Sequence, residues 1–399
     1  MGILPKGIER LRGEEMNHVE CMRNAWLAVD GERIEAFGPM EKCPPAEGVE
    51  CVDAGGGVVV PAFCDSHTHL VWAGDRAGEF IDKINGLTYE EIAARGGGIL
   101  NSSDRLNAAS DDELFDAAHR RLRQMMALGT AAVEIKSGYG LTLEGELKML
   151  RVIDRLRRAE PGVEIRATFL GAHAVGRAFT GRQDAYVDHV IADMLPAAAP
   201  LADFVDVFCD KGFFTVSETA RILEAAAPLG LRPKIHANEL AVSGGVQVGV
   251  AHGALSVDHL ERIGREEIEL LAASDTVATM LPGASFFLGM PYGPARDAIA
   301  GGCTLALASD YNPGSSPSGS MPFVMSLASI KMKLLPEQAL NAVTINGAAA
   351  MGISDTMGSI TEGKYASFVI YKAYAPSLAY IVHAYTEPTI AAVCLKGRF

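Results

Sequence analysis

A chain of 399 residues, 49% hydrophobic and 21% charged, has the composition of a soluble globular protein with length for one large domain and a smaller one. Against 49 acidic residues stand 35 lysines and arginines, and the formal charge of -14 argues against a nucleic-acid backbone or an anionic membrane as partner, so an anionic substrate would need its own local cation. Seven cysteines without a Cys-x-x-Cys pair predict a reducing compartment, the cytoplasm; neither a secretory signal nor a run of about 20 apolar residues is visible.

The leading segment carries "WLAVDGERIEAFG" from Trp26, two short strands around Asp30-Gly31, which predicts a hairpin. From Val58 onward, short apolar segments alternate with longer amphipathic ones. Eight strands are predicted: "VVVPAFCDSH" from Val58, "TAAVEIKS" from Thr130, "EIRATFLGAH" from Glu164, "DFVDVFC" from Asp203, "RPKIHANE" from Arg232, "SVDHLE" from Ser256, "TVATMLP" from Thr276 and "TLALASDYN" from Thr304. Between them, "DDELFDAAHRRLRQMMALG" opens on acids and closes on Gly129, and "TLEGELKMLRVIDRLRR" has Thr142 as an N-cap, both helix signatures. Strand-helix alternation over this length predicts an α/β fold, a (β/α)8 barrel of the TIM type, spanning residues 58–351. The trailing "GSITEGKYASFVIYKA" and "IAAVCLKGRF" are again β in character. Residues 1–57 and 352–399 are therefore expected to pair into one small β-sandwich domain beside the barrel.

In such a barrel, function sits where strands end. The first strand ends on His67-Thr68-His69, whose alternate side chains point the same way. The third ends on His173, the fifth on His236-Ala237-Asn238-Glu239, the sixth on Asp258-His259 and the eighth on Asp310-Tyr311-Asn312. Ten histidines scattered at random would rarely put five at strand ends, whereas a metal site requires it. Imidazoles and a carboxylate suit one zinc or ferrous ion, which lowers the pKa of a bound water towards about 7. Asp310 suits both ion binding and acceptance of the water's proton, so hydrolysis is the expected reaction. Cys64 reads as barrel packing. Lys136 suits a bridging modified lysine, but no lysine closes the fourth strand, and a single metal is the better reading.

At these residues the chain resembles the amidohydrolase superfamily and, within it, the imidazolonepropionase family. The resemblance runs over nearly the whole chain through "DSHTHLVWAGDRAGEF", "TYEEIAARGGGI", "EIKSGYGLT", "FLGAHAVG", "FVDVFCDKGFF", "KIHANEL", "DHLE", "MLPGASFFLG" and "SDYNPGSSPSGSM". It implies hydrolytic opening of 4-imidazolone-5-propanoate to N-formimidoyl-L-glutamate, a step of histidine degradation. It implies that His67, His69, His236 and Asp310 hold the metal, that Glu239 contacts substrate and water and shuttles the proton, and that His259 polarises the group under attack. Arg76 matches a clamp on the propionate, as a planar guanidinium beside a carboxylate would be. Tyr89, Tyr139 and His173 match further substrate contacts, and Asn312, Gly314 and Ser315 a loop at the substrate's polar edge. "RGGGI" from Arg95 reads as a flexible loop over the site, and the resemblance makes a homodimer the expected assembly. Two other readings compete: a nucleobase deaminase, whose neutral substrate gives no reason for Arg76, and a catalytically silent metal-binding scaffold.

Overall fold

The computed structural model describes residues 1–87, 91, 95 and 97–399. Tyr89, expected as a substrate contact, lies outside the described residues, as does Gly96 of the expected glycine-rich loop. The chain opens with an antiparallel hairpin, β1 (Ala25–Asp30) and β2 (Arg33–Pro39), turned at Gly31 with a φ of 56°. After β3 (Val59–Pro61) come the eight strands of one parallel sheet: β4 (Phe63–Thr68), β5 (Thr130–Lys136), β6 (Glu164–Ala172), β7 (Phe204–Cys209), β8 (Arg232–Ala237), β9 (Ser256–His259), β10 (Val277–Met280) and β11 (Leu305–Leu307). β12 (Phe368–Tyr371) and β13 (Ile390–Cys394) follow.

The eight strands are ordered as in the sequence, each beside the next, with helices between them. The first and last edges meet at their carboxyl ends. There the His69 N–H donates to the Tyr311 carbonyl at 2.9 Å, and the Asp310 N–H to the His67 carbonyl at 3.0 Å. The Ser309 N–H also donates to Asp65 Oδ1, at 3.0 Å. This is a (β/α)8 barrel, and three of its candidate metal ligands lie on the closing seam.

The apolar run expected as one first strand is divided. Val59–Pro61 pairs antiparallel with β12, whereas Phe63–Thr68 enters the barrel beside β5. Pro61 has no N–H to extend a ladder, and the exchange of partners falls at that residue. β3 therefore lies with the small sheets although its residues fall inside the span expected for the barrel. The hairpin joins the trailing segment through the Gly363 N–H on the Ile34 carbonyl and the Ala366 N–H on the Glu32 carbonyl, both 2.8 Å. Ile34, Ile360, Ala366, Phe368, Ile370 and Cys394 form its buried apolar core, so both chain ends build one small β domain.

Local chemistry explains the helices. Ser110 caps Asp111–Ala127: its hydroxyl accepts the Glu113 N–H at 3.2 Å while Glu113 accepts the Ser110 N–H at 2.9 Å. Leu114, Ala118, Leu122 and Met125 recur at helical spacing and are its buried stripe. Gly129 then turns the chain into β5 with a φ of 95°. A Cβ there would lie 2.6 Å from Val369 Cγ2 and 3.0 Å from Phe63 Cε2, between barrel and small domain. Gly129→Ala is expected to destabilise the fold by about 1–3 kcal/mol, because backbone strain and overpacking coincide. Denaturant unfolding reads it; an unchanged midpoint would refute this packing argument. Among the described residues, no helix is long and apolar enough to cross a membrane.

Candidate metal centre and active site

β4 delivers His67 and His69 to the mouth of the barrel, β8 delivers His236, β9 ends on His259, and Asp310 follows β11. Three residues at these strand ends hold left-handed backbones: Asn238 at a φ of 56°, His259 at 84° and Asp310 at 52°. Such conformations cost free energy outside glycine; at His259 and Asp310 they accompany side chains that face the other histidines, while Asn238 Nδ2 donates to the Arg262 carbonyl at 3.0 Å. The His67 and His236 ring centroids are 4.5 Å apart, His67 and His69 5.4 Å, and His236 and His259 5.2 Å. Asp310 Oδ1 lies 3.6 Å from His67 Nε2 and 3.7 Å from His69 Nε2.

Two overlapping groups result. His67, His69 and Asp310 bring ligand atoms within 4.8 Å of one another, and so do His67, His236 and His259. The predicted quartet of His67, His69, His236 and Asp310 spans both groups through their shared His67. Among the described residues, His67 Nε2, both nitrogens of His236, and Nδ1 of His69 and of His259 are buried without a hydrogen-bond partner. An unsatisfied buried polar atom costs about 1–3 kcal/mol, and a cation among the His67, His69 and His236 rings would take up one lone pair from each neutral imidazole. Burial, reinforced by neighbouring positive charge, holds the His67, His69 and His236 imidazoles well below the usual histidine pKa, hence neutral and able to ligate.

His259 differs. Burial alone would lower its pKa, but Glu239 Oε2 at 3.7 Å and Glu261 Oε2 at 3.6 Å hold the imidazole well above the usual value. Burial pushes Glu239 up to about 7, with the His259 charge acting against it, and pushes Asp310 up to about 6. Burial thus raises both carboxyl groups, and the charges of Glu239, Glu261 and Asp310 together favour the protonated form of His259.

The sequence profile described as "Amidohydrolase family" matches residues 212–399. An imidazolonepropionase of Flavobacterium johnsoniae is 51% identical to this chain over 393 residues, covering 98% of this chain and 95% of the relative. The chain belongs to the imidazolonepropionase family. Among solved structures, a 5-methylcytosine deaminase from Klebsiella pneumoniae superposes with a TM-score of 0.73 at 16% identity, over 100% of this chain and 96% of that one. An adenosine deaminase from Xanthomonas campestris with bound zinc gives 0.66 at 17% identity, over 99% and 93%. At such identities the likeness is one of fold.

Of the other residues expected at the site, those among the described residues lie as follows. Tyr139 is buried with its ring 5.8 Å from His69, and His173 stacks on His69 at 5.3 Å while its Nδ1 donates to the Gly138 carbonyl at 2.9 Å. Burial lowers the His173 pKa to about 4. Arg76 lies against Gly314, where a Cβ would come 2.2 Å from its Nη1, but its Nε donates to Glu79 Oε2 at 2.8 Å. Asn312 turns inward on its own loop: Oδ1 accepts the Gly314 and Ser315 N–H groups at 2.8 and 2.9 Å, and Nδ2 donates to the Asp310 carbonyl at 2.7 Å. Ser315 Oγ donates to Asp310 Oδ2 at 3.1 Å, so this loop braces the aspartate. Cys64 is fully buried with its thiol pushed up to about 12 by burial, as a packing residue should be.

Sequence reasoning gave no role to Glu134, Asp206, Lys234, Asp258 or Glu261. The first four are fully buried charges beneath the histidines, and Glu261 faces His259. Their signal was present: a charged side chain interrupting an otherwise apolar strand at an inward position, as in "AVEIK", "FVDVF" and "PKIHA". Lys136 is held as an ammonium among carboxylates, an arrangement that calls for no modified bridging lysine.

Proposed function

We propose that the chain hydrolyses 4-imidazolone-5-propanoate to N-formimidoyl-L-glutamate, with one divalent cation, zinc or ferrous iron, held by His67, His69, His236 and Asp310. The observation that carries this reading is the meeting of His67, His69 and Asp310 ligand atoms within 4.8 Å, with His236 joined through His67 and a nitrogen of each imidazole buried without a partner. His259 is kept out of the ligand set because its two glutamates favour its protonated form, which repels a cation. A bound ion of this kind supplies a Lewis-acidic centre that makes hydroxide accessible at neutral pH.

The rest is done by side chains. Hydrolysis forms an oxygen-carbon bond at the ring carbonyl and breaks the ring C–N bond, so the carbonyl carbon becomes a carboxylate and the released nitrogen gains a proton. His259 donates to the carbonyl oxygen and stabilises the negative charge that develops there. Asp310 takes a proton from water, and Glu239 passes one to the leaving nitrogen, a task suited to its pKa of about 7. Arg76 exchanges Glu79 for the substrate's propionate, while Tyr139 and His173 wall the ring and Tyr89 contacts it; Asn312, Gly314 and Ser315 hold the loop at its polar edge. The reading also takes the protein to be a cytoplasmic homodimer that binds no nucleic acid.

The test is loss of imidazolone absorbance with purified protein and freshly made substrate. Turnover to formimidoylglutamate is expected; none, with metal bound, would reject the proposal. Arg76→Ala is expected to raise KM about 10- to 100-fold with a smaller change in kcat, since a charge-assisted contact contributes about 1.5–3 kcal/mol. An unchanged KM would point instead to a substrate without a carboxylate, such as a nucleobase.

A further inference from the structure

Beneath the histidines lies a layer of buried charge that the reaction itself does not use. Lys136 on β5, Asp206 on β7 and Asp258 on β9 come from alternate barrel strands, as side chains of one interior layer do. Lys136 Nζ donates to Glu134 Oε1 and to Asp206 Oδ2, each at 2.7 Å, and lies 3.4 Å from Asp258 Oδ2. Lys234 Nζ binds the other oxygen of Glu134 and the Ser66 and Ala350 carbonyls, both at 3.1 Å. Thr168 completes Glu134, and Ser256 completes Asp258.

The carboxylates that Lys136 holds face the site from below. Asp258 Oδ2 accepts from His67 Nδ1 at 2.7 Å, which fixes the tautomer whose Nε2 lone pair looks towards Asp310. Asp206 Oδ1 accepts the His236 backbone N–H at 3.1 Å, and its Oδ2 lies 3.0 Å from His236 Nδ1. One ammonium therefore stands under two imidazoles from different strands. Without it, Asp206 and Asp258 would face each other in a space that excludes water with only Lys234, itself bonded to Glu134, to offset their charge, and both carboxylates would lose their placement.

We propose that Lys136 is a positioning residue for the metal site, coupling His67 and His236 through Asp258 and Asp206 so that both present one nitrogen to the same cation. This rests on the metal site proposed above. Side chains that orient metal-bound histidines typically change metal affinity by about 10- to 100-fold when removed. Lys136→Met keeps the length of the side chain and removes its charge. The holoprotein of this variant is expected to remain folded by circular dichroism and to lose metal to a competing chelator at about 10- to 100-fold lower chelator concentration than the unaltered protein. After replacement of the metal by Co2+, its visible absorption bands are expected to shift, which a purely structural role would not cause. Unaltered affinity together with an unaltered Co2+ spectrum would overturn the proposal. If Lys136→Met does not fold, Lys136→Gln decides in the same way, because its amide keeps a hydrogen-bond donor for the carboxylates and removes the charge. Unaltered protein that holds no metal would overturn the site itself and this proposal with it, whereas loss of the variant effect alone overturns only the role of Lys136.

Discussion

Asp310→Asn is expected to lower kcat by about 10³-fold or more and to weaken metal retention in the same protein. Removal of a proton-transfer group alone costs about 10²- to 10⁴-fold, and this residue also supplies the only carboxylate in either group of candidate ligands. The substitution is a clean one. Asn, like Asp, tolerates the left-handed backbone at this position, where φ is 52°, so strain does not enter. The bond from the Asp310 N–H to the His67 carbonyl, which closes the barrel, is untouched. Steady-state kinetics and metal content per chain check the result; full activity with full metal would remove Asp310 from both roles.

Glu239→Gln separates the two roles. Glu239 belongs to neither group of ligand atoms, so the variant is expected to keep its metal. A glutamine of the same size cannot carry the proton, and kcat is expected to fall about 10²- to 10⁴-fold. The reason lies in its surroundings: burial raises the carboxyl to about 7, and His259 at 3.7 Å acts against that rise. Near neutrality such a group both accepts and donates. A variant with wild-type kcat would leave proton transfer to Asp310 alone, and one that lost metal would make Glu239 a ligand.

The residues that meet at the candidate site were legible because they break the pattern of the fold. A strand buried on both faces should be apolar throughout, so His67, His69, His236, His259 and Asp310 stand out where the strands end. The helix over Asp111–Ala127 was legible for a local reason, since its cap and acidic first turn involve neighbours in sequence. Long-range partners were not. The change of sheet at Pro61 depends on β12, near the other end of the chain, and no local signal announces that pairing. Nor does "AVEIK" disclose that Glu134 and Lys136 meet Asp206 and Lys234 on other strands. Asn312 and Ser315 were expected at the substrate, yet their side chains are engaged in their own loop and with Asp310; a side-chain carbonyl that accepts following N–H groups is ordinary turn chemistry and hides in a motif read for function. Arg76 likewise pairs with Glu79 one helical turn on, a contact that spacing alone permits but does not require.

The shared cation is the point on which the whole scheme stands, and anomalous X-ray diffraction from crystals of the active holoprotein at the metal's absorption edge examines it without reference to rates. One ion per chain is expected, bonded at about 2.0–2.2 Å to His67, His69, His236 and Asp310, with Glu239 and His259 beyond bonding distance. An ion bound by His67, His236 and His259 with Asp310 standing free, or active crystals with no anomalous peak at the barrel mouth, would show that the chemistry has been assigned to the wrong groups.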